Sequence, residues 1–185
     1  MKGLDVMVRK RFGPHLDSWI TYAYGSVEYQ FDQLNDFQAF PADHEQLHTF
    51  TWTQLANLGK WSVSGNLTYG SGRPFTEAQG ILAIPRPNPN ATPDYEIDFG
   101  PRNEARLPDY FRMDLSAHYN FTLQNRISGR FGLSILNITN QFNVGQRRYI
   151  ALPPSTASGR SEAEVFQYDR ELLGRTPNIF LKLTW

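Results

Sequence analysis

The 185-residue chain contains no cysteine. Disulfides, cysteine metal sites and thiol catalysis are thereby excluded, which suits the cytosol or an envelope protein that does without disulfides. Net charge is also missing, because 18 Lys+Arg balance 18 Asp+Glu. No field directs the chain to nucleic acid or to an acidic partner, and its basic residues are scattered among the aromatic ones rather than clustered. There is no run of about 18 apolar residues, which removes a transmembrane helix but not a transmembrane strand. The N-terminus, MKGLDVMVRKRFG, alternates Leu4, Val6 and Val8 before a basic run, with no continuous apolar core of secretory-signal length.

What the chain does have is rings. Aromatic residues make up 14%, with 13 Phe, 9 Tyr and 4 Trp, so apolar character is carried by rings as much as by aliphatic side chains. They fall into alternating segments. In FRMDLSAHYNFTL, Phe111, Met113, Leu115, Ala117, Tyr119, Phe121 and Leu123 take one face of a strand, and Arg112, Asp114, Ser116, His118, Asn120 and Thr122 take the other. This alternation runs unbroken for 13 residues, longer than the five or six of an ordinary globular strand and enough for the roughly 9 to 11 tilted residues that cross a bilayer. Less perfect segments contain Leu4, Val6 and Val8; Ile20, Tyr22 and Tyr24; Phe50 and Trp52; Trp61, Val63, Leu67 and Tyr69; Ile127, Phe131, Leu133 and Ile135; and Ile179, Leu181, Leu183 and Trp185. The sequence therefore predicts an all-β protein with about seven long strands and no helix of consequence.

Connection lengths alternate without exception. Tight turns fall at 14–16, 59–60 and 124–126, and long polar connections rich in proline or asparagine at 32–47, 77–109 and 141–175. Compact soluble domains seldom distribute loops this way, whereas outer-membrane barrels join antiparallel strands by short periplasmic turns and long outer loops. With short turns in the periplasm, the seventh strand runs inward and ends at Trp185, in phase with Ile179, Leu181 and Leu183. These four residues have the form of a terminal strand read by the barrel-assembly machinery. Arg112, Asp114, His118 and Arg130 fall on the inferred lumen face, either lining a ligand path or pairing with each other and with whatever fills the lumen. Because a membrane sheet must close and bacterial single-chain barrels have even strand numbers, the expectation is a C-terminal portion of a larger barrel whose upstream strands are missing from this chain.

Four pieces, GSGRPFT at 70–76, RLPDYFRMDLSAHYNF at 106–121, GLSILNITNQFNV at 132–144 and RTPNIFLKLTW at 175–185, resemble in that order the C-terminal barrel of TonB-dependent outer-membrane receptors, most like those of Bacteroidota. DHEQLHTFTW also resembles the family's segment in which an aspartate and a histidine precede a barrel strand. The resemblance implies a barrel of about 22 strands around an N-terminal plug. It implies uptake of an iron chelate, cobalamin or a glycan, energised through TonB, with outer-membrane lipid and the assembly machinery as partners. No cofactor and no enzymatic activity are expected. The plug and the TonB-contacting segment are absent from this chain, so alone it is not expected to transport.

Other motifs have plainer readings. DHEQLH contains H-E-x-x-H, which binds zinc only on a helix that brings positions i and i+4 together. Here the flanking pattern argues strand, which would set His44 and His48 roughly 13 Å apart. Gly70-Ser71-Gly72-Arg73-Pro74 lacks the following helix of a phosphate loop and reads as a strand end turning into an outer loop. The glycosylation sequons at Asn66, Asn90, Asn120 and Asn137 read as chance, since Asn66 and Asn120 lie mid-strand. Residues 81–108, with Tyr95, Phe99 and Arg102, have the length and composition of either a binding loop or a variable solvated one. No Ser/His/Asp set or carboxylate pair is fixed by spacing. The rivals to the receptor reading are a structural or adhesive outer-membrane barrel and a soluble β-rich binding domain.

Overall fold

A computed structural model describes residues 1–88, 91–123 and 127–185. In chain order the strands are β1 (Lys2–Phe12), β2 (Leu16–Ser26), β3 (Glu28–Tyr29), β4 (Phe40–Pro41), β5 (His48–Leu58), β6 (Trp61–Gly70), β7 (Pro74–Phe75) and β8 (Ala78–Ile84). They continue with β9 (Asp94–Phe99), β10 (Ala105–Arg106), β11 (Tyr110–Leu123), β12 (Ile127–Leu136), β13 (Val144–Leu152), β14 (Glu164–Glu171) and β15 (Thr176–Thr184). Two single 3-10 turns, Asn35–Phe37 and Thr156–Ser158, are the helical elements among the described residues.

Seven of these strands form one antiparallel sheet in the order β1-β2-β5-β6-β11-β12-β15. Each is hydrogen-bonded to the next in sequence among the seven, an up-and-down meander with β1 and β15 left as open edges. Tight turns at 13–15 and 59–60 join strands at one end, with Gly13 and Gly59 at φ 65° supplying left-handed positions. The turn expected at 124–126 lies outside the described residues. The opposite end carries the three long connections.

Register keeps the two faces separate across all seven strands. On one face, Val8 opposes Ile20, Ile20 opposes Trp52, and Trp52 opposes Leu67. The row continues through Met113, while a parallel row runs from Val63 through Ala117 and Leu133 to Ile179. Rings collect towards the two ends of this face: Phe12, Trp61, Tyr119 and Phe131 near the short turns, and Tyr24, Phe50, Tyr69 and Phe111 near the long connections. Trp61 and Tyr69 are eight residues apart on β6, about 26 Å along the strand and about 20 Å in height at an ordinary barrel tilt.

The other face is polar. It carries Thr49, Thr51 and Thr53, then Ser62, Ser64, Asn66 and Thr68, then Arg112 to Asn120 at alternate positions. Ser64 and Ser116 hydroxyls meet at 2.7 Å, and Thr53 donates to Asn66 at 2.8 Å. Two glycines on β12 make room for rings, one on each face: on the apolar face a Cβ at Gly129 would lie 2.2 Å from the Phe121 ring, and on the polar face one at Gly132 would lie 2.1 Å from the Phe180 ring.

Among the described residues, the buried apolar ones, Phe40, Ala42, Leu107 and Val144, all lie in the long connections, and none lies in the seven-stranded sheet. The sheet's apolar face is bare: Leu4 is 59% exposed, Leu181 61% and Ile179 72%. Nor are the long connections structureless. β8 pairs β9 and β13 pairs β14 as two hairpins, set side by side with the Phe99 and Tyr149 rings edge-on at 6.2 Å. The sequence pattern hid them because each mixes charged and apolar residues on both faces, as where Leu82 opposes Glu96 and Arg148 opposes Tyr168.

Candidate functional site

The four polar-face candidates are divided along the height of the sheet rather than gathered. Arg112 and Asp114 sit at the long-connection end of β11, where Arg112 Nε donates to Asp114 Oδ1 at 2.7 Å. The same carboxylate oxygen accepts the Asn137 backbone N–H at 2.8 Å, so the pair fastens the segment after β12 to the strand. His118 lies mid-sheet with its ring 5.3 Å from Phe180. Arg130 sits near the short turns, donating from Nε to Asn120 Oδ1 at 2.8 Å. Arg130 opposes Asn120, eight residues along β11 from Arg112, which separates the two arginines by about 26 Å.

The densest polar geometry lies where the long connections fold over the end of the sheet. Glu45, 3% exposed, pairs with Arg106 across 61 residues and accepts the Val27 N–H at 3.1 Å. Arg106 also donates to the Gly72 carbonyl at 3.2 Å. Burial pushes the Glu45 carboxyl up, but hydrogen bonds from Arg106, Val27 and Ser26 and the Arg106 charge outweigh it and hold the group below its ordinary value. Asp109 accepts from the Gly72 N–H at 2.9 Å and from the Tyr69 hydroxyl at 2.7 Å. Gly72 passes so close to the next segment that a Cβ there would lie 1.8 Å from the Leu107 carbonyl oxygen, so only glycine fits.

Two asparagines act as backbone. The Asn143 side chain, 2% exposed, accepts the Phe111 N–H at 2.9 Å and donates to the Phe111 carbonyl at 2.8 Å, extending the sheet where β12 has ended. Asn137, fully buried, donates to the carbonyls of Gln141 and Leu173 at 3.0 and 3.2 Å. The sequon asparagine at 137 is thus occupied, Asn66 and Asn120 sit within strands, and Asn90 lies outside the described residues.

Two adjoining clefts open beneath the hairpins, of about 210 Å³ and about 380 Å³, sharing Arg73 and Leu107. Thr49, Thr68 and Tyr110 floor the first; Asn103, Gln146 and Arg147 line the second. Arg73 donates to the Gly145 carbonyl at 3.0 Å. Arg147 grips Asp169 through two parallel bonds of 2.7 and 2.8 Å, with its guanidinium 5.1 Å above the Phe75 ring. The bond from Arg147, followed by its charge, holds the Asp169 carboxyl below its ordinary value despite burial. Such a lining offers forked cations, amides and rings, the groups that orient a polar ligand.

Within the loop at 81–108, Tyr95 lies on β9, Phe99 is half exposed, and Arg102 lies 5.3 Å over the Phe40 ring. Arg73, Asn103 and Arg147 carry the clefts, and sequence reasoning did not select them; the readable signal for Arg73 was its place next to the constrained Gly72. His44 and His48 do not share a helix. His48 opens β5 and meets the Tyr22 hydroxyl at 2.8 Å, and His44 faces the Tyr29 ring. Ile179, Leu181 and Leu183 are exposed along β15 in register with β12, and Trp185 is exposed one residue beyond its end.

No family model matches the chain, and no curated protein or solved structure matches it.

Proposed function

We propose that these residues form the last strands and outer loops of an outer-membrane TonB-dependent receptor, a transporter rather than an enzyme. The observation that carries this reading is the bare apolar face, continuous in register over seven strands and edged by rings at both ends. In water such a face would be a large exposed patch with no compensation. Against hydrocarbon it is the face a barrel requires, with an apolar band about 25 Å tall between aromatic girdles. The open edges of β1 and β15 support continuation of the sheet by further strands, since an open edge in lipid leaves backbone groups unpaired.

In this reading the tight turns face the periplasm, the clefts beneath the hairpins face the outside, and β15 with Ile179, Leu181, Leu183 and Trp185 is the strand engaged by the assembly machinery. The ligand is an iron chelate, cobalamin or a glycan. Energy arrives from TonB through an N-terminal plug that these residues do not include. The resemblance of the four sequence pieces to the receptor family supports the same assignment.

The test is an immunoblot of the host's outer-membrane fraction with antibody to residues 81–108. A band several times heavier than 21.3 kDa, migrating differently before and after boiling, is expected. A water-soluble band near 21.3 kDa would overturn the reading.

A further inference from the structure

On the sheet's polar face, arginines elsewhere are matched to carboxylates. Arg9 and Arg11 share Asp17, and Arg112 holds Asp114. Arg130 and Lys182 break that rule. They oppose each other directly across β12 and β15, an arrangement that sets their Cβ atoms about 5.5 Å apart and, for two like charges, destabilises a sheet unless something offsets it. No side-chain carboxylate lies within ion-pair distance of either among the described residues. Around them is a groove of about 210 Å³ completed by Asn120, Ser128, Gly129 and Thr184.

We infer that this groove is an oxyanion site, in which Arg130 and Lys182 clamp a phosphate or carboxylate group and the Ser128 and Thr184 hydroxyls donate to its remaining oxygens. The geometry favours an anion over a merely solvated pair. Arg130 Nε is already held by Asn120, which fixes the guanidinium and leaves its terminal nitrogens for a ligand. Ser128 opposes Thr184, so two hydroxyls sit one alternate step from the two cations on the same face. The site lies at the short-turn end, far from the clefts beneath the hairpins, and is independent of the transported ligand. The oxyanion has two sources, a free anion or an acidic side chain of another polypeptide segment.

The experiment acetylates the native protein in isolated host membranes and reads Lys182 against Lys60 by mass spectrometry. An amine held in a charge-assisted bond reacts slowly, so Lys182 is expected to react about tenfold more slowly than Lys60. Arg130→Gln should remove that protection and Arg130→Lys should keep most of it. Protection that vanishes in phosphate-free buffer and returns with inorganic phosphate identifies a free anion. A carbodiimide-formed amide between Lys182 and an aspartate or glutamate identifies a polypeptide carboxylate. The inference is overturned if Lys182 reacts like Lys60 with and without phosphate and forms no such amide, or if its protection survives Arg130→Gln. Because the same fractions report where the protein resides, failure of the anion site is distinguishable from failure of the receptor reading.

Discussion

Leu115→Arg tests the membrane assignment directly. Leu115 opposes Gly65 on β6, and Gly65 is four residues from Trp61 and four from Tyr69, the rings that edge the apolar face. That places Leu115 about 13 Å along the strand from each ring level and about 10 Å in height, at the centre of the apolar band. A charged side chain at the midplane of a barrel's lipid face costs about 2 to 4 kcal/mol, or about 30-fold to nearly 1,000-fold in the folded population. The control is the next residue. Ser116 faces the polar side against Ser64 and Ser134, and Ser116→Arg sacrifices one hydroxyl contact of 2.7 Å, about 1 kcal/mol. The assay is the amount of heat-modifiable protein in the outer-membrane fraction of cells making each variant at equal expression. Leu115→Arg should deplete it severely and Ser116→Arg mildly. Equal depletion, or greater loss for Ser116→Arg, would refute the assignment of faces.

Gly72→Ala should cost about 2 to 3 kcal/mol locally, because its Cβ would sit 1.8 Å from the Leu107 oxygen and would part β7 from β10; trypsin should then cut at Arg102 and Arg106 in intact membranes, and unchanged resistance would count against the steric account. Arg106→Ala should destabilise the loop base by about 3 kcal/mol, the low end for breaking a buried pair, since Glu45 is 2% exposed at its side chain and Arg106 33%. The folded Glu45 value is depressed, so its contribution is complete above the ordinary glutamate value of about 4.3 and is lost as pH falls through the folded value. Hydrogen exchange at the Val27 amide should accordingly speed up below about pH 4.3 in the wild type more than in Glu45→Gln, and parallel profiles would sink the idea. Asn143→Leu leaves the Phe111 N–H and carbonyl unpaired, at about 1 to 3 kcal/mol, and the Phe111 amide should lose exchange protection while that of Leu115 keeps it.

How much of this was legible depends on how far each residue must reach for its partner. The β11 alternation could be read directly, because each side chain needs only to know which face it is on, and the register carries that choice unchanged across seven strands. β5 was harder: Phe50 and Trp52 announced it, but the strand runs His48–Leu58, and Gln54 and Leu55 then sit on the faces opposite to their polarity. The structure explains why this is tolerated. Gln54 faces the apolar side and donates to the carbonyls of Asp17 and Leu55, both at 3.2 Å, and the neighbouring Ser18 accepts from Trp52 Nε1 at 3.1 Å. A polar group so satisfied can meet hydrocarbon at modest cost, whereas an unsatisfied one could not. Strict alternation is therefore a sufficient sign of a strand with one apolar face but not a necessary one.

The loop base was illegible for the opposite reason. Asn143 imitates a missing strand for Phe111, 32 residues away, and Glu45 meets Arg106 across 61. Neither pair leaves a periodic trace, because each is a single long-range contact between segments that otherwise read as polar loops. The asparagines and the glutamate are conspicuous only once the sheet has brought Gly72 and Leu107 within backbone contact. In this fold the strands supply a scaffold whose pattern is written locally. The clefts, with Arg73 and Arg147, depend on loop contacts that the scaffold merely permits, so substitutions there can reshape the clefts without changing whether the sheet forms.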